Sequence, residues 1–178
     1  MEPLRFGGIF DRLKKKNSQN EFKMKHLILL RHGEAGFSDG VDFQRQLTSR
    51  GKENLNRMGK SLQTREMKVD FMYCSSATRT RETAEIMKRF INVEEEEFTR
   101  DIYEGNLETL IYLLEKTPKE AESCILIGHN PTISVLISHL TNSSYVGLQP
   151  GMMAIIELEI SEWHMIGLGT GMLKEMVQ

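Results

Sequence analysis

The feature that most constrains the fold is a short apolar run at residues 27–30, which Arg31, His32 and Gly33 follow at once. A compact apolar run bounded by polar residues is typical of a buried strand in a parallel sheet. Open α/β sheets bind their ligands at the carboxyl ends of such strands. The run therefore predicts a strand that places an arginine beside a histidine at this edge, and Gly33 allows the backbone to turn sharply there.

Two later segments repeat this pattern. Residues 70–74 form a second apolar run, which leads through two serines to Arg79. Residues 124–128 form a third, and His129 follows it directly. Each segment predicts a strand that delivers a polar side chain into a loop at the start of a helix. Three strand ends that bring such side chains to one edge are hard to obtain by chance.

These residue types together favour a site for a phosphoryl group. Arginine can hold two phosphoryl oxygens with its planar fork, and a neighbouring histidine can attack phosphorus. The other interpretation of Arg31 and His32 is a strand that merely ends in two polar residues. The convergence with Arg79 and His129 favours the phosphoryl site.

The three motifs resemble those of a known family. Arg-His-Gly at residues 31–33, Ser-Ser-x-x-Arg-Thr at residues 75–80 and Gly-His-Asn-Pro at residues 128–131 are similar to motifs of the histidine phosphatase superfamily, the phosphoglycerate-mutase-like proteins. Residues 45–51 and 101–104 strengthen the likeness to its short SixA-type phosphohistidine phosphatases. The resemblance runs from about residue 24 to the C-terminus.

The resemblance implies a fold, a mechanism and a substrate. The fold would be a three-layer α/β/α sandwich with a mostly parallel central sheet. His32 would attack in its neutral form and become a phosphohistidine, while Arg31, Arg79 and His129 surround the phosphoryl oxygens. The substrate implied is phosphohistidine in proteins. No cofactor is implied, and the spacing of the histidines does not indicate a metal site.

A general acid is a further expectation from the resemblance. Glu104 lies in a stretch similar to the place where longer superfamily members carry an acidic proton donor. The alternative for Glu104 is a surface carboxylate at a helix entrance.

The same four side chains are compatible with other functions. A small-molecule phosphomonoesterase would need the same four side chains. A non-catalytic phosphate-binding regulatory module would need the cradle but not the nucleophile, so the presence of His32 and His129 favours an enzyme. A mutase is disfavoured because the chain lacks long insertions that would enclose a substrate.

Composition agrees with a single globular domain without a nucleic-acid partner or a membrane span. The chain has 178 residues, a net charge of −2 and an isoelectric point of about 6.2, which excludes a basic footprint for nucleic acid. No apolar run is long enough to span a membrane, and no signal-peptide pattern opens the chain, so we expect a cytoplasmic protein. A monomer is compatible with the sequence, which does not fix the oligomeric state.

Residues 1–23 stand apart from the expected domain at residues 24–178. Phe6, Ile9, Phe10 and Leu13 have the spacing of a short amphipathic helix, and three lysines follow. We expect an N-terminal extension that is not required for phosphatase activity.

The remaining pattern alternates helices and strands. Thr48 can cap a helix with Leu55, Met58 and Leu62 on one face. Residues 153–160 alternate as a strand, and a turn at residues 161–162 can lead into another strand at residues 163–168. Arg81 and Glu82 are expected to form a helix-surface pair. Arg45 is expected in an exposed loop, with a position at the mouth of the pocket as the alternative.

Overall fold

One mixed sheet forms the centre of the molecule. The computed structural model describes residues 24–37, 40–65 and 67–178. Its strands are β1 (Lys25–Arg31), β2 (Lys68–Ser75), β3 (Asn92–Thr99), β4 (Ser123–Gly128), β5 (Met153–Leu158) and β6 (Gly171–Val177). They lie in the order β3-β2-β4-β1-β5-β6. The first four strands run parallel, and β5 and β6 are antiparallel to their neighbours.

Helices cover both faces of this sheet. They are α1 (Ser49–Gln63), α2 (Thr78–Met87), α3 (Asp101–Glu104), α4 (Leu107–Glu115) and α5 (Thr132–Thr141), with 3-10 turns at Asp42–Gln44 and Trp163–Met165. Alternate residues of β1 belong to two separate cores: Leu27 packs on the side of α4 and α5, and Ile28 on the side of α1 and α2. The predicted three-layer α/β/α sandwich with a mostly parallel sheet is confirmed.

The start of α1 also follows the sequence prediction. Thr48 has extended backbone angles, and its hydroxyl accepts a hydrogen bond of 2.9 Å from the N–H of Gly51. Leu55, Met58 and Leu62 are buried along one face of the helix. The cap satisfies a backbone donor that the helix itself leaves unpaired.

The prediction of a strand at residues 163–168 is wrong. Trp163 begins a 3-10 turn, and its indole N–H donates to the carbonyl of Ala121 over 2.8 Å. Trp163 and Ile166 are buried while His164 and Met165 between them are exposed, a three-residue spacing typical of a tight helical turn. The chain then turns at Gly169, whose φ is +71°, and the final strand is β6.

The helix expected within residues 1–23 lies outside the described residues. Over the part of the chain that the structure covers, no helix is both long and apolar enough to cross a membrane.

Gly51 should resist substitution although it lies in a helix. A Cβ at this position would overlap the carbonyl oxygen of Glu34, which accepts a hydrogen bond from the N–H of Thr48. Alanine normally stabilises a helix relative to glycine by up to about 1 kcal/mol. Because the obstacle is backbone, we expect Gly51→Ala to lower the free energy of unfolding by about 1–3 kcal/mol instead.

Urea denaturation of the purified variants measures this change. Gly167→Ala is the matched control, since a Cβ at Gly167 meets nothing within 4 Å. A Gly51→Ala protein as stable as the wild type would show that the segment behind His32 can shift freely.

Candidate active site

Adjacent strand ends bring the four predicted site residues together. Arg31 is the last residue of β1 and lies opposite Gly128, the last residue of β4. His32 and His129 follow these two strands, and the N–H of His32 donates to the carbonyl of Gly128 over 3.1 Å. Arg79 arrives from the other side of β4, on the first turn of α2 after β2. The predicted convergence at one edge of the sheet is present.

The ring of His32 is held in a defined orientation. Its Nδ1 lies 2.7 Å from the carbonyl oxygen of Gly33, so Nδ1 carries the proton and donates it. The N–H of Gly33 in turn donates to the hydroxyl of Thr83 over 3.1 Å. On the other side of the ring, Nε2 lies 3.2 Å from Nε of Arg79 and can only accept there. This tautomer leaves the nucleophilic lone pair on Nε2.

Both site histidines are electrically neutral at ordinary pH. The pKa of His32 is lowered to about 4, chiefly by burial and then by the nearby Arg79 and Arg31, while the bond to Gly33 acts in the opposite direction. Burial also lowers the pKa of His129 to about 3, with His32 and Arg79 acting in the same direction. The two rings lie 5.1 Å apart between centroids. The positive charge of the site is therefore carried by guanidinium groups.

His129 is oriented by a buried serine. Its Nε2 lies 2.8 Å from the hydroxyl of Ser75, which is fully buried at the end of β2. That hydroxyl also accepts a bond of 3.4 Å from the N–H of Ala77, so it can give its own proton to Nε2. Nδ1 of His129 is buried and has no hydrogen-bond partner among the described residues. His129 is thus fixed at one nitrogen and unused at the other.

A loop after α5 holds Arg31. Nη1 of Arg31 donates to the carbonyl of Leu148 over 2.8 Å, and the side-chain amide of Asn130 donates to the same oxygen over 2.9 Å. Gly151, whose φ is +76°, donates its N–H to the carbonyl of His32 over 2.9 Å. The loop therefore fixes both residues of the first motif through its backbone.

Asp42 and Tyr103 belong to the site but were not singled out from the sequence. Asp42 contacts Arg79 through its carboxylate and its carbonyl oxygen, and it accepts a bond of 2.9 Å from the hydroxyl of Tyr103. The Tyr103 ring lies edge-on to His129, with 5.4 Å between centroids. No apolar run precedes Asp42 in the sequence. Tyr103 stands out only as part of the family-like stretch at residues 101–104.

The structure places Glu104 outside this cluster. Its carboxylate is exposed and pairs with Nε of Arg100 at 2.6 Å, one helical turn away. Tyr103, its neighbour in α3, provides the contact between this helix and the site.

Three other residues considered from the sequence have structural contacts. Arg45 donates to the carbonyl of Gly36 and to the carboxylate of Asp42, so it braces the loop rather than lying free in it. The prediction that Arg81 and Glu82 form a pair is wrong. Arg81 donates to the carbonyl of Ser76, whereas Glu82 is drawn away by the N–H of Leu47 and by Lys52.

The described residues offer no group of three or more histidine, cysteine, aspartate or glutamate side chains that could hold a metal ion. Apart from Asp42 and Tyr103, the groups brought together at the site are the guanidinium groups of Arg31 and Arg79 and the imidazoles of His32 and His129. Such donors hold anions and stabilise negative charge that develops during phosphoryl transfer.

Comparisons with known proteins identify the family of the chain. The model of the histidine phosphatase superfamily (branch 1) matches residues 27–123. An uncharacterized protein of Mycobacterium leprae is 29% identical over 109 residues, which are 61% of this chain and 66% of that protein. The mitochondrial serine/threonine-protein phosphatase PGAM5 of Xenopus tropicalis is 33% identical over 67 residues, 38% of this chain and 24% of the relative. The chain thus aligns with just under two thirds of one relative and about a quarter of the other.

Solved structures show the same fold. The protein histidine phosphatase SixA complexed with tungstate superposes with a TM-score of 0.75 at 20% identity, covering 86% of this chain and 96% of that one. A phosphoserine phosphatase from Entamoeba histolytica gives a TM-score of 0.57 at 16% identity, with coverage of 86% and 97%. Because the family model covers more than half of the sequence and the fold agrees, the chain belongs to the histidine phosphatase superfamily.

Proposed function

We propose that this chain is a metal-independent phosphatase that acts through a phosphohistidine intermediate on His32, with phosphohistidine in proteins as its substrate. The observation that carries the proposal is the state of His32. Its Nδ1 proton is bound to Gly33, its ring is neutral and its Nε2 lone pair faces Arg79. A neutral imidazole with one fixed nitrogen beside a guanidinium group is suited to attack a bound phosphoryl group.

The proposed reaction has two steps. Nε2 of His32 attacks phosphorus, the bond from phosphorus to the substrate nitrogen or oxygen breaks, and the leaving group takes the electron pair and a proton. Water then attacks the phosphorus of the phosphohistidine, and the P–N bond breaks with its electron pair returning to Nε2 of His32. Inorganic phosphate leaves with the oxygen and the protons of the water. Arg31, Arg79 and His129 hold the phosphoryl oxygens and stabilise their charge in both steps.

The leaving group is the reason for preferring a phosphoramidate substrate. The carboxylate in contact with Arg79 is that of Asp42, and its hydrogen bond from Arg45 holds its pKa at about 2. A group that is so strongly ionised is a poor proton donor. Phosphohistidine can leave as neutral imidazole once its own ring is protonated, whereas an alkyl alcohol needs a proton from the enzyme. The structural likeness to SixA supports the same substrate class.

Two alternatives keep the same cradle. A small-molecule phosphomonoesterase would use His32 in the same way on a phosphate ester. A phosphate-binding regulatory module would hold the phosphoryl group without transferring it. We place the enzyme in the cytoplasm, acting on a phosphorylated protein as its partner, as part of the proposal.

A substrate panel with the His32→Ala variant tests the proposed mechanism. The panel compares a phosphohistidine peptide with alkyl and aryl phosphate esters under identical conditions. We expect the wild type to form an acid-labile phosphoenzyme and to hydrolyse the phosphohistidine peptide best, with or without a chelator. We expect His32→Ala to abolish both the phosphoenzyme and turnover, because no other group presents the attacking lone pair.

His164→Ala is the matched control, since His164 is exposed and pairs with Glu162 away from the site. Full turnover by His32→Ala would overturn the mechanism. A preference for small esters would favour the phosphomonoesterase. A folded wild type that binds phosphate but turns over nothing in the panel would favour the binding module.

The titration of His32 provides an independent test. Its lowered pKa means that the folded chain binds this proton more weakly than the unfolded chain does. As pH falls from about 6.5 towards 4, the unfolded chain gains protons first, so this residue makes the fold less stable in that window. Above about pH 4 the nucleophile is neutral. We expect the His32 ring to titrate near pH 4.

NMR of ring-labelled histidine measures this pKa, with the His32 signal assigned by its loss in His32→Asn. The same signal in urea should titrate near its ordinary value of about 6.5. A folded-state value near 6.5 would remove the reason for assigning a neutral nucleophile.

The role of Glu104 as general acid stays a prediction. If Glu104 protonates the leaving group, Glu104→Gln should slow alkyl phosphate hydrolysis by about 100-fold. It should slow hydrolysis of an activated aryl ester much less, because that leaving group needs no proton. Steady-state kinetics of the wild type and Glu104→Gln on both esters measure these losses. Equal losses would indicate positioning or folding, and no loss would assign Glu104 solely to its surface pair with Arg100.

A further inference from the structure

Each of the three side-chain nitrogens of Arg79 already has a hydrogen-bond partner within the chain. Its Nε faces Nε2 of His32 at 3.2 Å. Its Nη1 donates to the carbonyl oxygen of Asp42 over 2.8 Å, and its Nη2 donates to a carboxylate oxygen of the same residue over 3.0 Å. The Arg79 side chain is 6% exposed, so little of it is open to further partners.

Asp42 presents Arg79 with the pattern that a phosphoryl group would present. Two oxygens lie side by side against the two terminal nitrogens of the planar fork, which is the arrangement in which arginine binds carboxylate or phosphate. The other carboxylate oxygen accepts a bond of 2.9 Å from Arg45. Tyr103 donates its hydroxyl to the oxygen that faces Arg79. The Asp42 side chain is 49% exposed, so it can leave this position without opening the core.

We propose that Asp42 is an internal competitor that occupies the phosphoryl position on Arg79, so that every incoming phosphoryl group must displace it. The proposal rests on the phosphoryl site assigned above. Displacement imposes the same cost on every ligand. Free phosphate can offset the free energy of displacing Asp42 only through contacts of its own oxygens. A larger substrate can gain further contacts at the mouth of the site, where Phe43 packs edge-on to Tyr103 with 5.0 Å between ring centroids. Asp42 thereby weakens the binding of inorganic phosphate, the product, and limits product inhibition.

Displacement by a competing anion is the release mechanism that the charges permit. The bond from Arg45, together with Tyr103 and Arg79, holds the pKa of Asp42 at about 2. The carboxylate therefore stays ionised throughout the working pH range, and a change of pH does not free Arg79.

Isothermal titration calorimetry with inorganic phosphate and with tungstate tests the proposal on the full chain. Asp42→Asn removes the charge and keeps the size, while the backbone contact to Arg79 remains. A hydrogen bond to a charged group contributes roughly 1.5–3 kcal/mol, so we expect both anions to bind about 10-fold more tightly or better. Product inhibition by phosphate should strengthen by the same factor.

Two further variants make the result specific. Asp101→Asn removes an equal charge from an exposed position on α3, and we expect it to change anion affinity by less than about twofold. Tyr103→Phe removes one of the bonds that hold Asp42 and should give a smaller gain than Asp42→Asn. Thermal unfolding of each variant verifies that the fold is intact.

Unchanged or weaker phosphate binding by Asp42→Asn, in a wild type that shows His32-dependent turnover, would overturn the proposal. A loss of turnover on alkyl esters that spares aryl esters would also overturn it, by making Asp42 a proton donor. Tighter anion binding by Asp42→Asn in a chain without turnover would support the Asp42 contact and overturn the proposed function alone.

Discussion

The site depends on one junction between the end of β1 and the first turn of α2. The hydroxyl of Thr83 accepts the N–H of Gly33 and donates to the carbonyl of Arg79 over 2.7 Å. The carbonyl of Gly33 in turn holds Nδ1 of His32. One buried hydroxyl therefore links the turn that orients the imidazole to the backbone that carries the guanidinium. Since the bonds run through backbone atoms, the relative position of the two motifs does not rely on long side chains.

The electrostatics of the site follow from this close approach. Two imidazoles with 5.1 Å between their centroids, beside Arg31 and Arg79, would repel each other if protonated. Burial and the guanidinium groups keep both rings neutral, which avoids the cost of burying further positive charge. Two arginines remain as the fixed cations. Once the Asp42 carboxylate is displaced from Arg79, the two guanidinium charges complement a dianionic phosphoryl group, as the proposed function requires.

The residues that could be predicted from the sequence are those that strands carry. β1, β2 and β4 are apolar because they are buried on both faces, and Arg31, His32 and His129 follow from where two of these strands end. Asp42 could not be found this way, because a 3-10 turn brings it to Arg79 through contacts 37 residues apart along the chain. The same limit explains the error at Trp163, whose partner Ala121 lies 42 residues away. Local periodicity does not encode such pairings.

The position of β4 between β1 and β2 has a consequence for the order in which the molecule can assemble. β1 pairs in parallel with β4, so Arg31 meets Gly128 only after nearly a hundred further residues have joined the chain. Pairings over such separations are slow to form, because a long loop must close before any contact rewards it. A nascent chain that has emerged only as far as α4 contains Arg31, His32 and Arg79 but has no strand beside β1 to align them. During synthesis, the proposed phosphoryl site can therefore form only after β4 has joined the chain, and its residues are then aligned together.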